Sequence, residues 1–191
     1  MPTVALPHPT SADRLRAADA PLWLQAVGVA GFAALTAVFA QAELRIYLWE
    51  IPLTLQTVAV YASGLFLGRR NGALAMGLYL LLGLALPIYA GGGTGLDHLL
   101  GMSAGYLLAF PVVAFAVGQI TRTRRTALRT VLALVAGSVI LFASGVAGLA
   151  LTTDLTLAET VVAGWVRFIP WDLTKIALVT GLYVGTRRAT G

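Results

Sequence analysis

The chain of 191 residues contains no cysteine. That absence excludes disulfide bridges, thiol nucleophiles and cysteine-ligated metals. Histidine is scarce: His8 and His98 are the two present, and two distant imidazoles do not make a histidine-rich metal site. Charge is scarce as well. Asp, Glu, Lys and Arg make up 11% of the residues, where a soluble domain carries about a quarter. Acids are the scarcest of these, eight against thirteen basic residues, for a formal net charge of +5. In a soluble protein such an excess would suggest nucleic acid, but no interleaved basic and aromatic stripe accompanies it here, and no nucleic-acid partner is expected. The chain also lacks HExxH, a histidine within any apolar segment, and a nucleotide-binding motif. Zinc-hydrolase, Ser-His and intrinsic ATPase chemistry therefore have no basis in it. The expectation is no enzyme, no cofactor and no metal.

What is present is apolar. Hydrophobic residues make up 58% of the chain, and mean hydropathy is +0.84. This composition belongs to an integral membrane protein. A span needs about 20 apolar residues, so six spans with short loops would use up the chain. Residues 1–20 read as a polar tail and residues 21–191 as one six-helix transmembrane domain. The expected spans are 21–40, 52–68, 73–86, 99–120 with a kink at Pro111, 130–151, and a sixth that begins within 160–170 and ends before Arg187. Arg69-Arg70-Asn71-Gly72 reads as a tight turn, and residues 41–51 as a mixed loop or short interfacial helix. Ala40-Gln41-Ala42 has the small-x-small form of a signal-peptide cleavage site. The tail before it is long and carries two acids, which disfavours cleavage.

Arginine placement orients the bundle. Arg14, Arg16, Arg69, Arg70, Arg122, Arg124, Arg125, Arg129, Arg187 and Arg188, ten of the thirteen basic residues, fall at alternate ends of the spans. Basic loops stay in the cytoplasm. Both termini are therefore expected in the cytoplasm, which requires an even number of spans. Trp49, Trp165 and Trp171 then lie near the outer boundary, as an aromatic belt does. Small-xxx-small pairs (Ala30/Ala34, Ala33/Ala37, Gly64/Gly68, Gly101/Gly105 and Gly181/Gly185) allow close helix approach, or docking where they face lipid.

The polar residues that remain gather at the outer ends of the spans. Thr54, Gln56 and Thr57 open the second. A glycine-rich loop, Tyr89 to Gly95, follows the third. Asp97 and His98 precede the fourth, with Tyr106 two turns in. Asp172 and Lys175 open the sixth, one helical turn apart and so on one face. Ionisable groups at membrane depth are costly and usually pair, line a cavity or hold a ligand. Asp172 suits a helix N-terminus, whereas Lys175 does not. The spacing predicts an Asp172–Lys175 pair facing an outward-open pocket. Ser103, Ser138 and Ser144 read as packing or interhelical hydrogen-bonding residues.

Four segments carry a resemblance: Ile51–Thr57 (IPLTLQT), Leu67–Gly95 (LGRRNGALAMGLYLLLGLALPIYAGGGTG), Gly105–Pro111 (GYLLAFP) and Phe168–Lys175 (FIPWDLTK). Their order and spacing resemble the BioY family, the biotin-specific substrate-capture (S) components of energy-coupling-factor (ECF) transporters. The resemblance implies an all-α, polytopic S-component fold in the bacterial inner membrane, with a biotin pocket facing outward. It implies binding roles for Asp172 and Lys175, and for the loop Gly91, Gly92, Gly93, Thr94 and Gly95. The family often carries an asparagine near this loop, where Thr94 stands here. It further implies a transmembrane coupling subunit with two ATPases as partners, docked on an Ala-x-x-x-Ala stripe of the first helix. Ala30/Ala34 and Ala33/Ala37 both fit that pattern. Action as a homo-oligomer without a dedicated coupling module is the other arrangement.

Biotin's chemistry fits these residues. Asp172 can accept a ureido N–H, and Lys175 can donate to the ureido oxygen or, in the reverse orientation, to the carboxylate. Gln56, Tyr89 and Tyr106 can add hydrogen bonds or an apolar wall. The rival readings are an S component for another vitamin, an intramembrane enzyme using the Asp172/Lys175 pair, and a small structural membrane protein in which the pair is an ion bridge.

Overall fold

The computed structural model describes residues 15–16, 20–44, 53–123 and 125–189. Expectations for most of the N-terminal tail, for the connection 45–52 with Trp49, and for Arg124 fall outside the described residues. The described chain is helical. Helix α1 is Leu22–Gln41, α2 Gln56–Gly83, α3 Gly95–Leu99, α4 Ala104–Ile120, α5 Ala127–Thr152, α6 Leu157–Gly164 and α7 Ile169–Ala189. Short 3-10 turns at Ala90–Gly92 and Val166–Phe168 precede α3 and α7. Helices α1 and α5 are each long and apolar enough to cross a membrane.

The second and third expected spans form one hydrogen-bonded run, α2, broken at a single residue. Gly68 has φ 78° and ψ −178°, a conformation that costs glycine little and other residues much. The chain folds back there. A Cβ on Gly72 would lie 3.0 Å from the Ser63 carbonyl oxygen, so the two halves of α2 run side by side. The four-residue turn expected at Arg69–Gly72 is helical instead, because Gly68 alone makes the reversal.

Helices α2 and α4 form the centre. Helix α1 packs on α2, α5 on α4, and α7 rests across α2 and α5. Glycines set the closest approaches. A Cβ on Gly64 would meet the Ala114 carbonyl at 2.5 Å, and one on Gly105 the Ser144 carbonyl at 2.1 Å. Those close α2–α4 and α4–α5 contacts are what small residues permit between membrane helices. Tyr61, Tyr79, Met76, Leu65, Val113 and Leu134 are fully buried between these helices, whereas Leu22, Val38, Leu81 and Leu151 point outward.

Four further elements differ from expectation. Residues 95–99 form their own turn of helix, and α4 starts at Ala104. The polar loop after α5 ends in a capping box: Thr156 Oγ1 accepts from the Glu159 amide, and Glu159 Oε2 accepts from the Thr156 amide at 2.8 Å. This nucleates the separate helix α6. The last helix continues through Arg187 and Arg188, where cations favour a helix C-terminus. Residues 43–44, expected in a loop or helix, pair antiparallel with residues 53–54 as strands β1 and β2, Glu43 opposite Thr54 and Leu44 opposite Leu53. That ribbon delivers Thr54, Gln56 and Thr57 to the end of the bundle where α4 begins.

Candidate functional site

A cleft enclosing about 590 Å³ of empty space, part of it open to solvent, lies at that end. Its floor and one wall are apolar: Leu107, Phe110, Leu141, Phe142 and Phe168. Phe142 organises that wall. It packs edge-on to Tyr106 at 6.1 Å between centroids, lies parallel to Trp165 at 6.1 Å, and contacts Phe168 at 5.9 Å. Tyr106 donates its hydroxyl to the Gly164 carbonyl, so its ring faces the cleft and its polar tip is satisfied behind it.

The polar wall comes from Thr54, Gln56, Thr57, His98, Ser103 and Lys175. Gln56 is held on both sides. Its Oε1 accepts from Thr54 Oγ1 at 2.9 Å, and its Nε2 donates to the Tyr79 hydroxyl at 2.6 Å. Tyr79 in turn donates to the Ile88 carbonyl at 3.3 Å. Lys175 Nζ donates to Thr57 Oγ1 at 2.9 Å. Among the described residues of the lining, Lys175 is the one formally charged side chain. An ammonium has three donors, and the described neighbours take one of them.

Asp172 is placed differently from expectation. It is 4% exposed, accepts from the Tyr61 hydroxyl at 2.8 Å and also from Ser138, and does not belong to the lining. The pair predicted from helix spacing is not in contact. Each charge takes a neutral hydroxyl instead, Asp172 from α2 and α5, Lys175 from the first turn of α2. The reason is steric. Positions i and i+3 share a face, but the side-chain ends reach whichever partners the neighbouring helices present. Ser138 and Ser144 are interhelical donors, Ser144 to the Gly105 carbonyl at 2.8 Å.

The glycine-rich loop is held rather than open. Gly91, Gly92 and Gly95 all have positive φ, 65°, 73° and 82°. The Tyr89 amide donates to the Gly93 carbonyl at 3.0 Å, and Gln41 Nε2 donates to the Tyr89 carbonyl at 3.0 Å. Thr94 donates its hydroxyl to the Gly83 carbonyl at 3.1 Å. Tyr89 is fully buried, donates to the Leu80 carbonyl at 2.6 Å, and stacks on the His98 ring at 5.1 Å and 13°. Of this segment Ala90 reaches the cleft. Tyr89 supports His98 from behind, and Gly93 gives that ring room, since a Cβ there would lie 2.0 Å from Nδ1.

Of the residues singled out in the sequence, the cleft therefore brings together Gln56, Tyr106 and Lys175. Asp172 and Tyr89 sit behind it, and Gly91, Gly92 and Thr94 are exposed beside it. Thr54, Thr57 and His98 are lining residues that the sequence placed only near the site, and Ser103, expected as a packing or interhelical hydrogen-bonding residue, lines the cleft as well. Phe110 had a local signal, one helical turn after Tyr106. Phe142 and Phe168 had none, because their place at the wall depends on how α5 and the turn before α7 cross α4.

The four alanines of α1 separate cleanly. Ala33 is buried at 2% exposure and Ala37 is half-buried, whereas Ala30 and Ala34 are exposed. A Cβ on Gly31, next to Ala30, would meet nothing within 4 Å. With Val27 and Val38, both exposed, these residues make an outward apolar face with a flat centre.

An all-helical bundle with an aromatic cleft and a lone lysine at one end has the form of a small-molecule capture protein embedded in lipid. The BioY family model matches residues 12–191, and the chain belongs to the BioY family. Relatives agree. It is 44% identical over 91 residues to a probable biotin transporter BioY of Pyrococcus horikoshii, an alignment spanning 47% of this chain and 55% of that one. It is 35% identical over 149 residues to the biotin transporter BioY of Rhodobacter capsulatus, covering 71% and 78% of the two chains. The fold matches that of a solved S-component for biotin from an ECF-type ABC transporter, with a TM-score of 0.78, 24% identity, and coverage of 86% of this chain and 90% of that one.

Proposed function

We propose that the protein captures biotin from the extracytoplasmic side of the bacterial inner membrane, as the substrate-specific component of an ECF-type vitamin importer. It is a transporter component and not an enzyme, as its family is one of transporters. The observation that carries the reading is Lys175, one cation set at the polar corner of an otherwise aromatic cleft. That corner offers donors from the ammonium and acceptors from Thr57 and Gln56, which a urea-like ring needs together. The phenylalanine wall suits the thioether ring and alkyl tail. Ser103 and His98, where α4 begins, suit a carboxylate, because a helix N-terminus favours an anion. Asp172 acts from behind the wall, fixing Tyr61 and Ser138.

The proposed topology has six spans in one domain after the tail: α1, the two halves of α2, α4, α5 and α7, with both termini in the cytoplasm. The α1 face centred on Ala30 and Ala34 is the docking surface for the coupling subunit, since Ala33 and Ala37 are already packed internally. A second copy of the chain is the other occupant that such a face can take.

Equilibrium binding of biotin to the purified protein tests this. Submillimolar, saturable binding, weakened in Lys175→Ala and unaffected by excess thiamine or riboflavin, is the expected result. Millimolar binding, or binding indifferent to Lys175→Ala, rejects the site. Biotin methyl ester sets the orientation: a lysine on the ureido oxygen penalises ester and acid equally in Lys175→Ala, and a lysine on the carboxylate penalises the acid alone. Biotin recovered unchanged after binding separates capture from catalysis.

A further inference from the structure

The opposite end of the bundle holds a second cleft, with about 860 Å³ of empty space. Arg16, Arg69, Arg70, Arg122, Arg125 and Asn71 line it. These residues come from three separate stretches of chain: the segment before α1, the start of the second half of α2, and the α4–α5 connection. None of the five described acids, Glu43, Asp97, Asp154, Glu159 and Asp172, lines it. A concave surface walled by charges of one sign focuses its field into the cavity.

The scaffold accounts for some of this charge. Arg16 donates to the Leu65 carbonyl at 2.6 Å, the Gly118 carbonyl at 3.0 Å and Thr121 Oγ1 at 3.2 Å. Arg69 donates to Gln119 Oε1 at 3.1 Å and lies over the Phe115 ring at 6.0 Å. Asn71 Nδ2 donates to Gln25 Oε1 at 3.1 Å. Arg70 and Arg122 are different. Both are exposed, and neither guanidinium has a hydrogen-bond partner among the described residues. Two guanidiniums aimed at one cavity, backed by a third locked in place, match the oxygens of a phosphate group.

Apolar side chains flank the cleft within a helical turn of its lining. Leu22 and Trp23 are 83% and 67% exposed just before Gln25, and Leu128 is 70% exposed just after Arg125. A tryptophan so placed marks a membrane interface. We propose that this cleft binds the phosphate of an anionic phospholipid, with acyl chains along the Leu22–Trp23 and Leu128 flanks. The site is distinct from the biotin cleft, and its ligand class is different.

The test uses the full chain in detergent, titrated with brominated phosphatidylglycerol or brominated phosphatidylcholine, with quenching of tryptophan fluorescence as the readout. Phosphatidylglycerol is expected to bind more tightly. Arg70→Gln and Arg122→Gln are each expected to reduce that preference about fivefold. Arg188→Gln, an exposed arginine at the same end but outside the cleft, is expected to leave it unchanged. Inorganic phosphate, which lacks chains, is expected to compete only weakly. Equal affinity for the two lipids overturns the proposal, as does an equal loss in Arg188→Gln. Strong competition by inorganic phosphate without a phosphatidylglycerol preference overturns the lipid assignment. Biotin binding is expected unchanged in both cleft variants, so failure here leaves the biotin cleft standing.

Discussion

The two ends of the bundle handle charge in contrasting ways. At the cleft end one cation and one anion lie three residues apart on α7, yet each is satisfied by neutral hydroxyls: Lys175 by Thr57, and Asp172 by Tyr61 and Ser138. At the arginine-rich end several cations donate to backbone carbonyls near helix ends. Arg16 takes Leu65 and Gly118, Arg129 takes Ile120 at 2.6 Å, and Arg187 takes Arg125 at 2.9 Å. In a chain so poor in acids, fixed dipoles do the work that ion pairs do elsewhere. The difference lies in what is left over. The cleft end keeps spare donors on one lysine beside an aromatic wall, and the other end keeps two whole guanidiniums facing solvent. A buried charge needs hydrogen bonds more than it needs an opposite charge, and both ends satisfy that rule with different groups.

The contrast can be broken most severely at Arg16. Arg16→Met leaves the Leu65 and Gly118 carbonyls and Thr121 without their donor, and is expected to cost about 3 kcal/mol or more, read as a lowered unfolding midpoint in detergent. If stability is unchanged, the arginines at that end are not structural. Asp172→Ala comes next. It orphans the buried Tyr61 hydroxyl and the half-buried Ser138 hydroxyl and is expected to cost about 2–4 kcal/mol, with Asp172→Asn costing less because an acceptor oxygen remains. Lys175→Ala should behave in the opposite sense. Its stability loss is expected to be small, while biotin binding weakens about 10- to 100-fold, the value of a charged hydrogen bond of about 1.5–3 kcal/mol. Calorimetric titration beside thermal unfolding separates the two effects. If both variants lose stability and affinity in parallel, the division of labour between Asp172 and Lys175 is wrong.

The smallest effects test the flank between the ends. Ala33→Leu overpacks the α1–α2 contact and is expected to destabilise by about 1–3 kcal/mol. Ala34→Leu, on the outward face, is expected to change stability by less than about 0.5 kcal/mol and to leave biotin binding intact. Its effect should appear in co-purification with the coupling subunit, or in the oligomeric state when the chain is alone. Intact association in Ala34→Leu removes that face as the docking surface.

Much of this was legible in residue order. The positions of α1, α5 and α7 follow from apolar length and from Pro170 in the first turn of the last helix. The gathering of Thr54, Gln56, Thr57, His98, Tyr106 and Lys175 at one end follows from span polarity. Other features were hidden for local reasons. A one-residue reversal at Gly68 looks the same in sequence as one more glycine of a small-residue stripe. The ribbon joining residues 43–44 to 53–54 is two residues per strand, too short for an alternating pattern. Phe142 and Phe168 read as ordinary apolar residues until α4, α5 and the turn before α7 cross around them.

Composition, arginine distribution and four ordered motifs determined by themselves that this chain is a lipid-embedded helical bundle of the BioY family, because burial in hydrocarbon and motif spacing are properties of the linear chain. Only the tertiary structure decided which hydroxyl each charge takes and which alanines remain free. Tyr61 and Asp172 are 111 positions apart, and a hydrogen bond depends on where two atoms end in space, which no local spacing on one helix can specify.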